Sequence, residues 1–167
     1  MGSGYQLTCV CCGKSHAVFT GFGMAFPRVY AELVEDIQAG RFGREWQQLV
    51  EETELFAIDA EKHLYRCESC GHWECALGLS IYEPKDPEKI LHTRFGEKTM
   101  RERGRAPYAT CADLRKDYTL VKERVHTCER CGSDMHEISE RDLSRVVLKC
   151  PDCGGRLERG CGELLWD

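Results

Sequence analysis

CERCGSDMHEISERDLSRVVLKCPDCGG, residues 128–155, holds two Cys-x-x-Cys pairs, each followed by glycine, on either side of a short charged segment. The pattern occurs twice more, at Cys9/Cys12 before Gly13 and at Cys67/Cys70 before Gly71. In such a turn the backbone curls so that two sulfurs converge and amide N–H groups point at them. The glycine accepts the positive φ that so tight a turn requires. Two turns together supply four thiolates, the ligand set of a closed tetrahedral zinc site.

Four half-sites can pair in three ways, and spacing selects one. Cys131 and Cys150 enclose eighteen residues, inside the window of a Cys-x2-Cys-x15–20-Cys-x2-Cys zinc site. This predicts one quartet of Cys128, Cys131, Cys150 and Cys153. By elimination the other is Cys9, Cys12, Cys67 and Cys70, with a 54-residue excursion between its halves. "TCVCCGK" offers a third thiol, but only Cys9 and Cys12 keep both the x-x spacing and the following Gly13. Cys11 is expected to be a turn residue outside the ligand set.

Short β-patterned segments adjoin every turn: 15–19, 62–67, 73–82, 117–128, 145–150 and 155–166, where Val, Leu, Ile and Tyr often alternate with polar residues. Each metal would clamp a sheet too thin to stand alone. Structural zinc contributes on the order of 10–16 kcal/mol to the folding of finger peptides, more than the stability of most domains. The quartets therefore read as structural braces. Between the first two turns the pattern is helical. Pro27 suits a first helical position, Tyr30, Leu33, Val34 and Ile37 share a face, and Gly40 is a stop. After "RFG", Trp46, Leu49, Val50 and Thr53 repeat the spacing. Their apolar stripes are expected to be core. Residues 84–116 carry prolines and glycines without a clear period and read as a long loop.

The fold class expected is α+β: two small antiparallel sheets, the N-terminal one carrying a two-helix insertion at about 27–55. The division expected is 1–83, a linker at 84–116, and 117–167. "MGSG" at the start reads as a cloning scar and is set aside.

Composition narrows the class. Twelve of the 167 residues are cysteine, and the net charge is −5. No apolar run is long enough to span a membrane, and no export signal is visible. Cysteine-rich chains of that kind hold their thiols on metal rather than in disulfides, which places the protein in the cytoplasm. The charge is uneven. Residues 27–63 hold four Lys/Arg against nine Asp/Glu, and residues 84–127 hold eleven against seven. These are either surfaces for two partners or simply solvated faces.

The motif "CERCG … KCPDCGG" resembles a zinc ribbon, the two-turn β module of transcription factors, ribosomal proteins and small adaptors. "CVCCG … CESCG" resembles the same module with a helical insertion. The whole chain is also similar to uncharacterised bacterial double-zinc-ribbon proteins, with a Trp-Asp ending like Trp166-Asp167. The resemblance implies fold and metal, not activity. Rubredoxin-type iron carriers use the same turns, and "CPDCG" suits them, though a single redox module is much smaller.

Two complete cysteine quartets leave no open coordination position for catalysis. The His-Glu-x-x-His and deaminase signatures are absent, and "HWEC" at 72–75 overlaps the second turn. Cys11, Cys75, Cys111 and Cys161 have unrelated spacings and read as small apolar residues. His16, His63, His92, His126 and His136 read as strand or surface residues. Nucleic-acid contact would fall to Arg94, Lys98, Arg101, Arg103 and Arg105, followed by Arg115, Lys116, Lys122 and Arg124, with Phe95 and Tyr108 as stacking residues. The reading is a non-enzymatic adaptor with two structural zinc ions and a protein partner. Nucleic-acid binding and an iron electron carrier are its alternatives.

Overall fold

The computed structural model describes residues 2–53, 55–94, 108–143 and 145–164. The chain is mixed α+β and forms two units. The first comprises 1–24, 62–77 and 125–167; the second comprises 25–61 and 78–124. The linear division at 83/84 and 116/117 is therefore not the one the chain makes. Strands far apart in sequence pair with each other, so the chain passes between units four times.

The first unit contains two sheets. One has the order β10-β1-β2, with β1 (Ser3–Cys9) between β2 (Ser15–Thr20) and β10 (Leu157–Leu164). Its central strand includes Ser3 and Gly4 of the segment set aside as a cloning scar, paired with Thr20 and Phe19. The other sheet has the order β5-β4-β9-β8, built from β4 (Lys62–Cys67), β5 (Trp73–Leu77), β8 (His126–Thr127) and β9 (Asp134–Glu137). Tyr5, Leu7 and Val18 of the first sheet pack with Leu64 and Trp73 of the second and with Leu148.

The β pattern at 145–150, between the third and fourth cysteine turns, does not form a strand of a sheet. The segment between those turns instead carries the short helix α5 (Glu140–Leu143) and an isolated bridge between Lys149 and Arg156. Ile138, Leu143 and Val146 pack against the core between the sheets. The Trp73 indole N–H donates to the Lys149 carbonyl at 2.8 Å.

In the second unit α1 (Phe26–Gln38) and α2 (Arg44–Glu52) lie where the helical period places them. Pro27 sits in the first turn, Gly40 follows with φ of 76°, and Phe26, Tyr30, Leu33, Val34 and Ile37 are buried. The Tyr30 hydroxyl accepts the Ile58 N–H at 3.2 Å. A three-stranded sheet of β3 (Ala57–Ile58), β6 (Ile81–Pro84) and β7 (Tyr118–Lys122) completes the unit with α3 (Pro87–Arg94) and α4 (Cys111–Asp117).

The expected loop at 84–116 is thus partly helical. Asp86 accepts the Lys89 N–H at 3.0 Å ahead of Pro87, a start signal for α3. Thr110 and Asp113 form a capping box at the start of α4. Residues 95–107, and with them Phe95, Lys98, Arg101, Arg103 and Arg105, lie outside the described residues; Arg94 closes α3 with its side chain undescribed.

Among the other basic candidates, Lys122 and Arg124 have side-chain partners. Lys122 pairs with Glu45 at 2.6 Å, and the Arg124 guanidinium lies 5.9 Å over the Trp46 ring. Tyr108 meets Phe26 edge-on at 5.8 Å.

Asp59 is a buried carboxylate that accepts the Glu61 N–H at 3.1 Å and faces the Cys111 thiol at 3.4 Å. A Cβ at Gly78 would collide with that carboxylate. Gly78→Ala is accordingly expected to destabilise the chain by about 1–3 kcal/mol, read as a lower denaturant midpoint at unchanged slope.

Candidate metal centres

The four Cys-x-x-Cys-Gly turns share one backbone geometry. The glycine N–H bonds to the carbonyl of the first cysteine at 2.8–2.9 Å in every case. The N–H of each first cysteine bonds five residues on, to the carbonyl of Lys14, His72, Ser133 or Gly155, always at 2.8 Å. Gly13, Gly71, Gly132 and Gly154 have φ of 72–73°, as the turn was expected to require. The amide two residues past each second cysteine, from Lys14, His72, Ser133 and Gly155, donates to that cysteine's sulfur.

These turns pair in a nested order, which corrects the pairing expected from spacing. Cys9 and Cys12 meet Cys150 and Cys153; Cys67 and Cys70 meet Cys128 and Cys131. Strand pairing is the cause. Cys9 at the end of β1 stands opposite Leu157 of β10, which brings the first turn to the fourth. Cys67 at the end of β4 stands opposite Met135 of β9, which brings the second to the third. Between β9 and Cys150, Ile138, Leu143, Val146 and Leu148 pack on the core, so the third and fourth turns do not close a hairpin.

Within each quartet the ligand atoms lie within 4.8 Å of one another. Sulfurs of opposing turns are 3.5 Å apart for Cys9 and Cys153, 3.7 Å for Cys12 and Cys150, 3.4 Å for Cys67 and Cys131, and 3.6 Å for Cys70 and Cys128. A disulfide would need about 2.05 Å. A tetrahedron with Zn–S bonds of about 2.3 Å has edges of about 3.8 Å. The residues present fit a four-thiolate metal ion.

Packed this closely, the thiols shift one another's acidity in opposite directions. The Cys12 amide, helped by the Cys11 amide, holds the Cys9 thiol down at about 6. The Ser133 amide and hydroxyl do the same for Cys131, also about 6. Their neighbours move the other way. Despite the Gly155 amide, hydrogen bonds to Cys9 and Cys12 together with burial push Cys153 up to about 12. Cys70 is likewise pushed up to about 12 by burial and by Cys128, against the pull of the His72 amide.

Sequence reasoning missed three supporting contacts. His16, read as a strand residue, places Nε2 3.4 Å from Cys150 Sγ and 3.5 Å from an Asp152 oxygen. Asp152 bonds Lys14 at 2.9 Å, joining the first turn to the fourth. Arg130 donates to the Pro151 carbonyl at 2.9 Å, joining the third to the fourth. Lys14, Arg130 and Asp152 lie in or directly beside the turns and His16 three residues past Gly13, which is the signal that sequence offered for such roles.

Of the remaining thiols, Cys11 lies outside the quartet and is exposed. Cys75 packs against the core of its unit, where burial pushes its thiol up. The Cys161 side chain is undescribed. Among the histidines, His63 bonds Glu137 at 2.9 Å, His126 stacks on Tyr65 at 3.9 Å, and His92 pairs with Glu88 at 3.6 Å.

Compared with known proteins, the chain matches no family model, no curated protein and no solved structure. Among the described residues no helix is long and apolar enough to cross a membrane.

Gly155 is the least obvious member of the site. A Cβ there would lie 2.7 Å from Cys11 Sγ and 3.0 Å from Cys9 Sγ. Gly155→Ala is expected to weaken metal retention at the Cys9/Cys12/Cys150/Cys153 quartet at least tenfold in a chelator competition. The other quartet should be unchanged, and equal retention at both would contradict the geometry.

Proposed function

We propose that this chain is a non-enzymatic interaction protein of the zinc-ribbon kind, braced by two structural zinc ions on Cys9/Cys12/Cys150/Cys153 and Cys67/Cys70/Cys128/Cys131. The observation that carries the reading is the pair of all-cysteine quartets at tetrahedral spacing. Four thiolates complete the shell of zinc, so neither centre offers a position to substrate or water. The amide donors on the sulfurs spread the negative charge of each quartet, as the outer shell of a structural site does. Iron accepts the same geometry. The size of the chain and its two equal centres favour braces over an electron carrier.

An adaptor also needs a surface. The metal-braced unit has an open cavity of about 550 Å³ lined by Tyr5, Leu7, Val146, Leu157, Arg156 and Arg159, among others. Val147, on its wall, is 67% exposed. Apolar lining beside arginines suits a partner that offers apolar and acidic groups.

Purified protein should carry about two zinc per chain and lack a visible iron spectrum. A metal-to-chain ratio of one, or stoichiometric iron, would overturn the reading. Because every ligand must be deprotonated, metal retention should fall as pH falls, with loss of the folded signal in step. For the partner, capture from native extract should yield a stoichiometric protein that Val147→Glu releases without loss of zinc. Unchanged capture would move the interface elsewhere.

A further inference from the structure

Five thiols, not four, gather at the quartet that joins the two ends of the chain. Cys11 Sγ and Cys9 Sγ lie 2.7 and 3.0 Å from one point, the position a Cβ would take at Gly155. The two sulfurs are therefore within about 6 Å of each other, on residues two apart in one turn. The Cys11 amide already donates to Cys9 Sγ at 3.4 Å. Cys11 is exposed while Cys9 is buried. The equivalent positions in the second turn are Glu68 and Ser69, so the other quartet has no thiol between its paired cysteines there. The third turn has Glu129 and Arg130, and the fourth has Pro151 and Asp152.

We propose that Cys11 is an oxidation site that releases the metal of this quartet alone, in response to a peroxide. The inference rests on the zinc reading above. The Cys11 thiolate attacks one peroxide oxygen; the O–O bond breaks, water leaves after protonation, and Cys11 becomes a sulfenic acid. The Cys9 thiolate then attacks the Cys11 sulfur. An S–S bond forms, the S–O bond breaks, and hydroxide leaves to be protonated. The two sulfurs have lost two electrons, the peroxide has gained them, and the ion has lost one of its four ligands. A dithiol reductant reverses the step by thiol–disulfide exchange. The exposed sulfur meets the oxidant and the buried ligand resolves it, a division of labour the second quartet lacks.

The test begins by counting zinc in the untreated protein and in Cys11→Ser and Cys11→Ala. Two ions in each shows that the centres form and that the variants fold; fewer than two in the parent overturns the zinc reading and this inference with it. Hydrogen peroxide is then added beside a chromophoric zinc chelator. The parent should release one equivalent, with a Cys9–Cys11 disulfide in the peptide map, and a dithiol should restore it. Both variants should release zinc at least tenfold more slowly. Release at the parental rate from the variants, or parallel release of both ions from the parent, would overturn this inference while leaving the zinc reading intact.

Discussion

Four sulfurs held within 4.8 Å of one another cannot all be thiolates unless a cation stands among them. The backbone donors do not treat the four sulfurs alike. In each quartet one thiol is held down to about 6 by backbone amides while a neighbour is driven up to about 12. A divalent ion removes that conflict for every sulfur at once. The amide donors on Cys9, Cys12, Cys70, Cys131 and Cys153 would then work with the ion rather than against neighbouring sulfurs, and the turns and the thin sheets behind them would be held together. Tyr5, Leu7, Val18, Leu64 and Trp73 form one apolar core of the unit that holds both quartets, and Tyr65 and Met135 pack with Cys67 and Cys128 in another.

The turns themselves were legible because they are local. A cysteine pair followed by glycine states its own backbone conformation, and all four glycines adopt it. Which turns meet was not legible. Spacing treats the chain between two turns as a hairpin, yet after β9 Ile138, Leu143, Val146 and Leu148 pack on the core, with the Ile138 N–H bonded to the Leu64 carbonyl at 2.8 Å. The partner of each turn is chosen by the register of β1 on β10 and of β4 on β9, a non-local choice with no signature in Cys-x-x-Cys spacing.

Helices α1 and α2 were readable from their apolar period and caps, whereas α3 and α4 were hidden by their charge. α3 exposes its Glu88 and His92 side chains, and its start depends on the Asp86 cap rather than on a long apolar stripe. Ser3 and Gly4 resemble a cloning scar in sequence, although the strand they open is the middle of its sheet. Gly155 and His16 act through proximity to sulfurs more than 130 residues away, or beside them across a turn, and only coordinates reveal such neighbours.

The nested pairing brings the first cysteine turn to the fourth and the second to the third, and zinc content of paired substitutions tests it most directly. In Cys12→Ser/Cys153→Ser both changes fall on one quartet, so the protein should keep one zinc. In Cys12→Ser/Cys70→Ser each quartet loses a ligand, so both ions should be lost. The opposite pattern, two ions lost from the first variant and one kept by the second, would contradict the nested order.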